Sequence, residues 1–127
     1  MKVAVFSSKS YDRQSLERHN APFGHELAFL EPRLSPETVA LGRGFSGVCI
    51  FVNDNCDAEV IADLAAHGAK MIATRSAGYN QIDLAAAKRH GVTVARVPAY
   101  SPNAVSEFTL ALMLTLGRKL HKAYNRT

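Results

Sequence analysis

Thr74-Arg75-Ser76-Ala77-Gly78-Tyr79-Asn80-Gln81-Ile82-Asp83 is the stretch from which the rest of the chain can be read. The apolar run Lys70-Met71-Ile72-Ala73 leads into it, and Leu84-Ala85-Ala86-Ala87-Lys88-Arg89-His90, a helix former closed by Gly91, follows it. A strand ends, a loop of small residues turns, and Asp83 is placed to cap the next helix through its carboxylate. Ser76, Ala77 and Gly78 carry little side chain, so an anion could approach their backbone N–H groups closely. In an open α/β sheet, ligands bind at the carboxyl ends of strands. Gly78 has two readings on residues alone: an ordinary tight-turn glycine, or a position kept bare for a ligand.

Outward from that loop the same unit recurs. Val3 to Phe6 reads as a short buried strand, and Ser10 as the cap of a helix from Tyr11 to Asn20 with Leu16 inward. Glu26 to Leu30 reads as a weaker, edge strand, and Ser35-Pro36-Glu37 opens a short helix through Leu41. Gly47-Val48-Cys49-Ile50-Phe51-Val52 is the most continuous β-branched and aromatic run and belongs at the sheet centre. Asp57 caps a helix over Ala58 to His67, whose Val60, Ile61 and Leu64 share a face. Val92 to Val97 supplies a fifth strand. Five β-then-α units predict an α/β fold with a doubly wound, five-stranded parallel sheet.

The pattern changes at Val97-Pro98-Ala99-Tyr100-Ser101-Pro102, a proline-bracketed hinge. Ser101 and Pro102 read as a cap and first-turn pair, opening a long helix to about Asn125. Its centre, Phe108 to Leu116, is apolar around most of its circumference and calls for burial on several sides. A domain this small can cover one side, so the helix is expected to meet another domain or another copy.

Composition narrows the function classes. At 127 residues, 47% hydrophobic and 20% charged, the chain reads as one globular unit. The net charge of +4 is concentrated in Arg118, Lys119, Lys122 and Arg126, and the remainder holds 11 basic against 11 acidic residues. A basic helix end suits the macrodipole and is not a nucleic-acid footprint. Cys49 and Cys56 have neither disulfide nor zinc spacing. The apolar start is too short for a signal peptide and Phe108 to Leu116 too short for a span, so a cytoplasmic protein without membrane contact is expected.

Two motifs carry a resemblance. The Arg75–Asp83 loop and Val97-Pro98-Ala99-Tyr100-Ser101-Pro102, with Glu107 in the long helix, resemble the D-2-hydroxyacid dehydrogenases, and most closely their D-lactate dehydrogenase branch. The resemblance spans essentially the whole chain. It implies a flavodoxin-like substrate domain over residues 1–99, with hinge and interdomain helix over 100–127 leading to an absent nucleotide-binding domain. It further implies that the amides of Ala77 and Gly78 hold the carboxylate of a small 2-oxo acid such as pyruvate. Tyr100 would line the substrate site, and Val105 would lie near the nicotinamide of NAD. Phe51 would wall the side-chain pocket, although a strand-end core aromatic is an equal reading of the residue. Arg75 is expected to brace the loop.

The implied activity is NAD-dependent reduction of pyruvate to D-lactate, in a homo-oligomer. Phe108 departs from the family, whose members often carry histidine after the glutamate. No Gly-x-Gly-x-x-Gly occurs, and the family's catalytic arginine, glutamate and histidine would belong beyond residue 127. An inactive amino-terminal fragment holding half a site is therefore expected.

Other classes compete. A phosphoacceptor receiver domain shares the five-unit sheet and would use Asp54 and Thr74, but Ser7-Ser8-Lys9 stands where its Mg²⁺-binding acids belong. A flavodoxin would need a glycine- and hydroxyl-rich phosphate loop after the first strand, and Ser7 to Ser10 has no glycine. A non-enzymatic dimerisation module built on the long helix is the third alternative.

Overall fold

Short runs of small and β-branched residues build the sheet. In the computed structural model, which describes residues 1–126, they form β1 (Lys2–Val5), β2 (Glu26–Phe29), β3 (Gly47–Ile50), β4 (Met71–Thr74) and β5 (Thr93–Ala95). All pairs are parallel, in the order β2-β1-β3-β4-β5. This is the flavodoxin-like order, with its switch point between β1 and β3. β3 lies at the centre and is buried along its length, and β2 is an edge strand, both as the sequence predicts.

One face of the sheet carries the core. Ala4, Phe6, Val48, Ile50 and Ile72 pack against Val60, Ile61 and Leu64 of α2 (Ala58–Ala66) and Ala86 and Ala87 of α3 (Leu84–Arg89). Each fully buried large aliphatic side chain contributes about 1.5–3 kcal/mol of transfer free energy. Both helices start at carboxylates, as the sequence predicts. Asp57 accepts from the amides of Glu59 (3.1 Å) and Val60 (3.0 Å), and Asp83 from Ala86 (2.8 Å). The other face carries α1 (Ser10–Asn20), which has no buried residue. Its Leu16 is half-buried over an apolar groove formed with Val3, Val5 and Cys49.

Three local expectations are corrected. Lys9, not Ser10, occupies the N-cap of α1, because the Asp12 carboxylate reaches back to its amide (2.9 Å). The segment after Pro36 is a 3-10 turn, Val39–Gly42, rather than a helix from 36 to 41. Gly42 presses against the core so closely that a Cβ there would lie 2.8 Å from Leu64 Cδ2. Ser101 takes a left-handed conformation (φ 43°), and its hydroxyl makes no cap hydrogen bond. Pro102 does begin the helix.

The long helix is also divided. α4 spans Pro102–Gly117, Lys119 turns left-handed (φ 53°), and α5 covers only Leu120–Tyr124. Gly117 marks the break, since glycine costs about 1 kcal/mol relative to alanine in a helix interior. Even so, α4 exceeds the usual length of about 11–12 residues. Its apolar side chains are uncovered: Phe108 is 66%, Leu112 48% and Leu116 69% exposed. These residues, spaced by four, share one face. The isolated chain should therefore self-associate. Sedimentation across a wide concentration range should show a rising mean mass, and a monomer at every concentration would refute this.

Candidate active site

The loop after β4 is shaped by what its carbonyls do. Ser76 O accepts from the Val97 amide (3.1 Å), Ala77 O from Arg96 Nη1 (3.0 Å), and Gly78 O from the Ser76 hydroxyl (2.8 Å). In a trans peptide the N–H points opposite to its own carbonyl. Engaging those three oxygens thus turns the N–H groups of Ala77, Gly78 and Tyr79 the other way. Among the described residues none accepts a hydrogen bond from any of the three. Gly78 is exposed, and a Cβ there would meet nothing within 4 Å. Its φ lies outside the left-handed range occupied by Gly24, Gly44, Gly68 and Gly91. A left-handed turn is therefore not what glycine supplies here, and the bare position leaves the backbone open to close approach.

A relay of side chains holds the loop from inside. Gln81 Nε2 donates to Thr74 Oγ1 (3.2 Å), and Thr74 Oγ1 lies 2.7 Å from Ser76 Oγ, whose proton goes to Gly78 O. Thr74 and Ser76 are both buried. Below the loop, Cys56 pairs with Ile82: Cys56 donates its amide to Gln81 O (3.0 Å) and accepts from the Asp83 amide (3.0 Å). That bridge sets the caps of α2 and α3 side by side. Burial pushes the Cys56 thiol up to about 12 and also raises that of Cys49, so both sulfurs are packing groups, not nucleophiles.

Two guanidinium groups flank the loop. Arg75 donates through Nη2 to Phe6 O (3.0 Å) and Ser7 O (3.2 Å), lies 3.8 Å from Asp12, and covers the Phe51 ring at 5.2 Å. It ties the end of β4 to the end of β1, which is the bracing role expected of it. Arg96 reaches the loop from just after β5 and lies over the Tyr79 ring at 5.5 Å. Both cations favour an anion at the released amides.

Asp54 organises the neighbouring strand end. It is 2% exposed and accepts from Ser7 Oγ (2.6 Å) and from the amides of Leu34 (2.8 Å) and Phe51 (2.5 Å). A carboxylate so enclosed is not open to a phosphodonor, and the receiver-domain alternative loses its acceptor. Phe51 is 36% exposed and lines a cleft with Ser7, Tyr11 and Asn53, so it is not a core aromatic.

The other anticipated residues stand apart. Tyr100 is 70% and Val105 65% exposed in the hinge and α4, and neither makes a hydrogen bond or ring contact with the loop among the described residues. His67 and His90 close α2 and α3, and His19 lies in the last turn of α1, at the edge of the sheet opposite the loop. Sequence reasoning missed Arg96 and the pinning role of Asp54. Their signals were a basic residue ending the fifth strand and an acid directly after the third.

Residues 3–126 match the family described as D-isomer specific 2-hydroxyacid dehydrogenase, catalytic domain. A 2-hydroxyacid dehydrogenase homolog of Haemophilus influenzae is 50% identical over 127 residues, covering all of this chain and 38% of that protein. The apo structure of D-lactate dehydrogenase from Escherichia coli superimposes with a TM-score of 0.83 at 48% identity, covering 100% of this chain and 40% of that one. D-lactate dehydrogenase from Lactobacillus jensenii, solved with NAD+, gives a TM-score of 0.71 at 36% identity, covering 96% of this chain and 37% of that one. The chain thus spans about two-fifths of the length of these relatives. With the motif loop, the sheet order and the matches all in agreement, the chain belongs to the D-isomer-specific 2-hydroxyacid dehydrogenase family and corresponds to its catalytic-domain segment.

Proposed function

We propose that this chain is the substrate-binding part of an NAD-dependent D-lactate-type dehydrogenase that reduces pyruvate to D-lactate. The observation that carries the reading is the set of released amides at Ala77, Gly78 and Tyr79, each turned away from an engaged carbonyl. Charge-assisted hydrogen bonds from the first two would hold the 2-oxo acid carboxylate, at about 1.5–3 kcal/mol each. Phe51, fixed by Asp54 through its backbone and by Arg75 through its ring, would wall the cleft for the substrate's side chain. Tyr100 would close on the substrate from the hinge.

Of the residues present, Val105 would meet NAD at its reacting end, as an exposed apolar contact on the first turn of α4. No dinucleotide fingerprint is found in the chain. When bound, NADH would supply the hydride, and the Ala77 and Gly78 amides would hold the acid that receives it. Residues 1–99 would form the substrate domain, and residues 100–127 the hinge and helix to a nucleotide-binding domain. α4 would be buried there or between subunits.

The test replaces the matching segment of the Escherichia coli D-lactate dehydrogenase with residues 1–127. The chimera should oxidise NADH with pyruvate, while the isolated chain should match the buffer blank. A folded chimera that binds NADH yet ignores pyruvate would overturn the substrate assignment. A clear rate from the isolated chain would overturn the division of the site.

A further inference from the structure

We infer that Arg96 is a positioning residue that locks the anion-binding peptide to the hinge. This inference rests on the reading that the Ala77 and Gly78 amides hold a carboxylate. One atom, Arg96 Nη1, lies 3.0 Å from Ala77 O, 3.4 Å from Val97 O and 3.4 Å from Pro98 O. The first oxygen belongs to the loop, and the other two belong to the segment that leads into α4. The guanidinium also covers Tyr79, on the far side of Gly78.

Three consequences follow from that placement. The Ala77–Gly78 peptide is planar, so fixing its carbonyl fixes the direction of the Gly78 N–H. A cation on the carbonyl polarises the peptide and makes its N–H a stronger donor toward an anion on the other side. The remaining Nη1 proton is shared between Val97 O and Pro98 O, so a displacement of the hinge is transmitted to the anion-binding peptide. Backbone pairing alone reaches the loop one peptide earlier, through the Val97 amide and Ser76 O. Arg96 is exposed, and the carbonyls it serves lie in a surface segment where water could replace it. Stability does not explain why its charge stands on this peptide.

The experiment titrates the chain with oxamate, a stable analogue of a small 2-oxo acid, and follows the amide resonances of Ala77 and Gly78, with acetate as the control. In the unsubstituted chain both resonances should move with saturation. Arg96→Ala should weaken oxamate binding about tenfold, the scale of one charge-assisted hydrogen bond. Arg96→Lys, which keeps the charge with fewer donors, should recover part of the loss, and the thermal midpoint should stay within a few degrees in both. Equal affinity in Arg96→Ala would overturn the role of Arg96 while leaving the amide site intact. Resonances that do not move in the unsubstituted chain would overturn the amide site and Arg96 with it. Should Arg96→Ala prove unstable, Arg96→Gln, similar in length but uncharged, decides the matter: unchanged affinity there overturns the inference.

Discussion

Gly78→Val, placed in a two-domain enzyme that carries this chain, should raise KM for pyruvate by one to two orders of magnitude and leave the melting temperature almost unchanged. The rise corresponds to losing a charge-assisted hydrogen bond of roughly 1.5–3 kcal/mol. A branched side chain on Gly78 would crowd any carboxylate held by the amide of the same residue. Stability should hold because a Cβ at Gly78 meets nothing within 4 Å and the residue is not left-handed. Gly91, at φ 67°, offers the contrast. A side chain there strains the backbone by about 1 kcal/mol or more, with no bearing on substrate. Affinity for NADH should change little, since Gly78 is not among the residues expected to meet the cofactor. Steady-state kinetics beside a thermal melt separates the readings. A lower melting temperature with unchanged KM would make Gly78 a structural glycine after all.

Much of this architecture was legible in the residues, for identifiable reasons. Asp57 and Asp83 announce their helices because a carboxylate at an N-cap satisfies otherwise orphaned amides, a purely local interaction. β3 declares itself central because a strand buried on both faces has no polar alternation to show. Errors arose where distant contacts overrode local preference. Nothing local reveals that Gly42 must lie against Leu64, whereas Gly117 did mark where the long helix divides before Lys119. The displacement of Ser10 from the cap of α1 is by contrast a local choice between neighbouring positions, made by the Asp12 carboxylate on the Lys9 amide.

The candidate site divides along the same line. Ala77 and Gly78 could be marked from the small-residue loop and its resemblance. Which way their amides point depends on Val97 and Arg96, about twenty residues further along the chain. Phe51 could be noticed but not assigned, because only the fold shows its ring beside Arg75 at the cleft and not in the core.

Asp54→Ala should be the most damaging single substitution at the carboxyl edge, destabilising the chain by about 3–5 kcal/mol. The carboxylate serves three donors from three segments: Ser7 after β1, Leu34 before the 3-10 turn, and Phe51 after β3. Alanine would leave the buried Leu34 amide and the part-buried Phe51 amide without an acceptor, at about 1–3 kcal/mol each. The cavity left by the missing carboxylate adds to that cost. Ser7 offsets part of it. Its backbone is left-handed (φ 51°), a conformation that costs a non-glycine residue about 1–3 kcal/mol, and losing the hydrogen bond to Asp54 lets it relax. Asp54→Asn keeps one acceptor oxygen but aims an amide at a donor, so it should fall between alanine and the parent. In a thermal melt of this chain, alanine should lower the midpoint by roughly 10–15 °C. Because Asp54 also fixes Phe51, the Asn variant should bind 2-oxo acids more weakly even where it remains folded. A shift below about 2 °C for alanine would mean that water replaces the carboxylate and that Asp54 does not hold the three segments together.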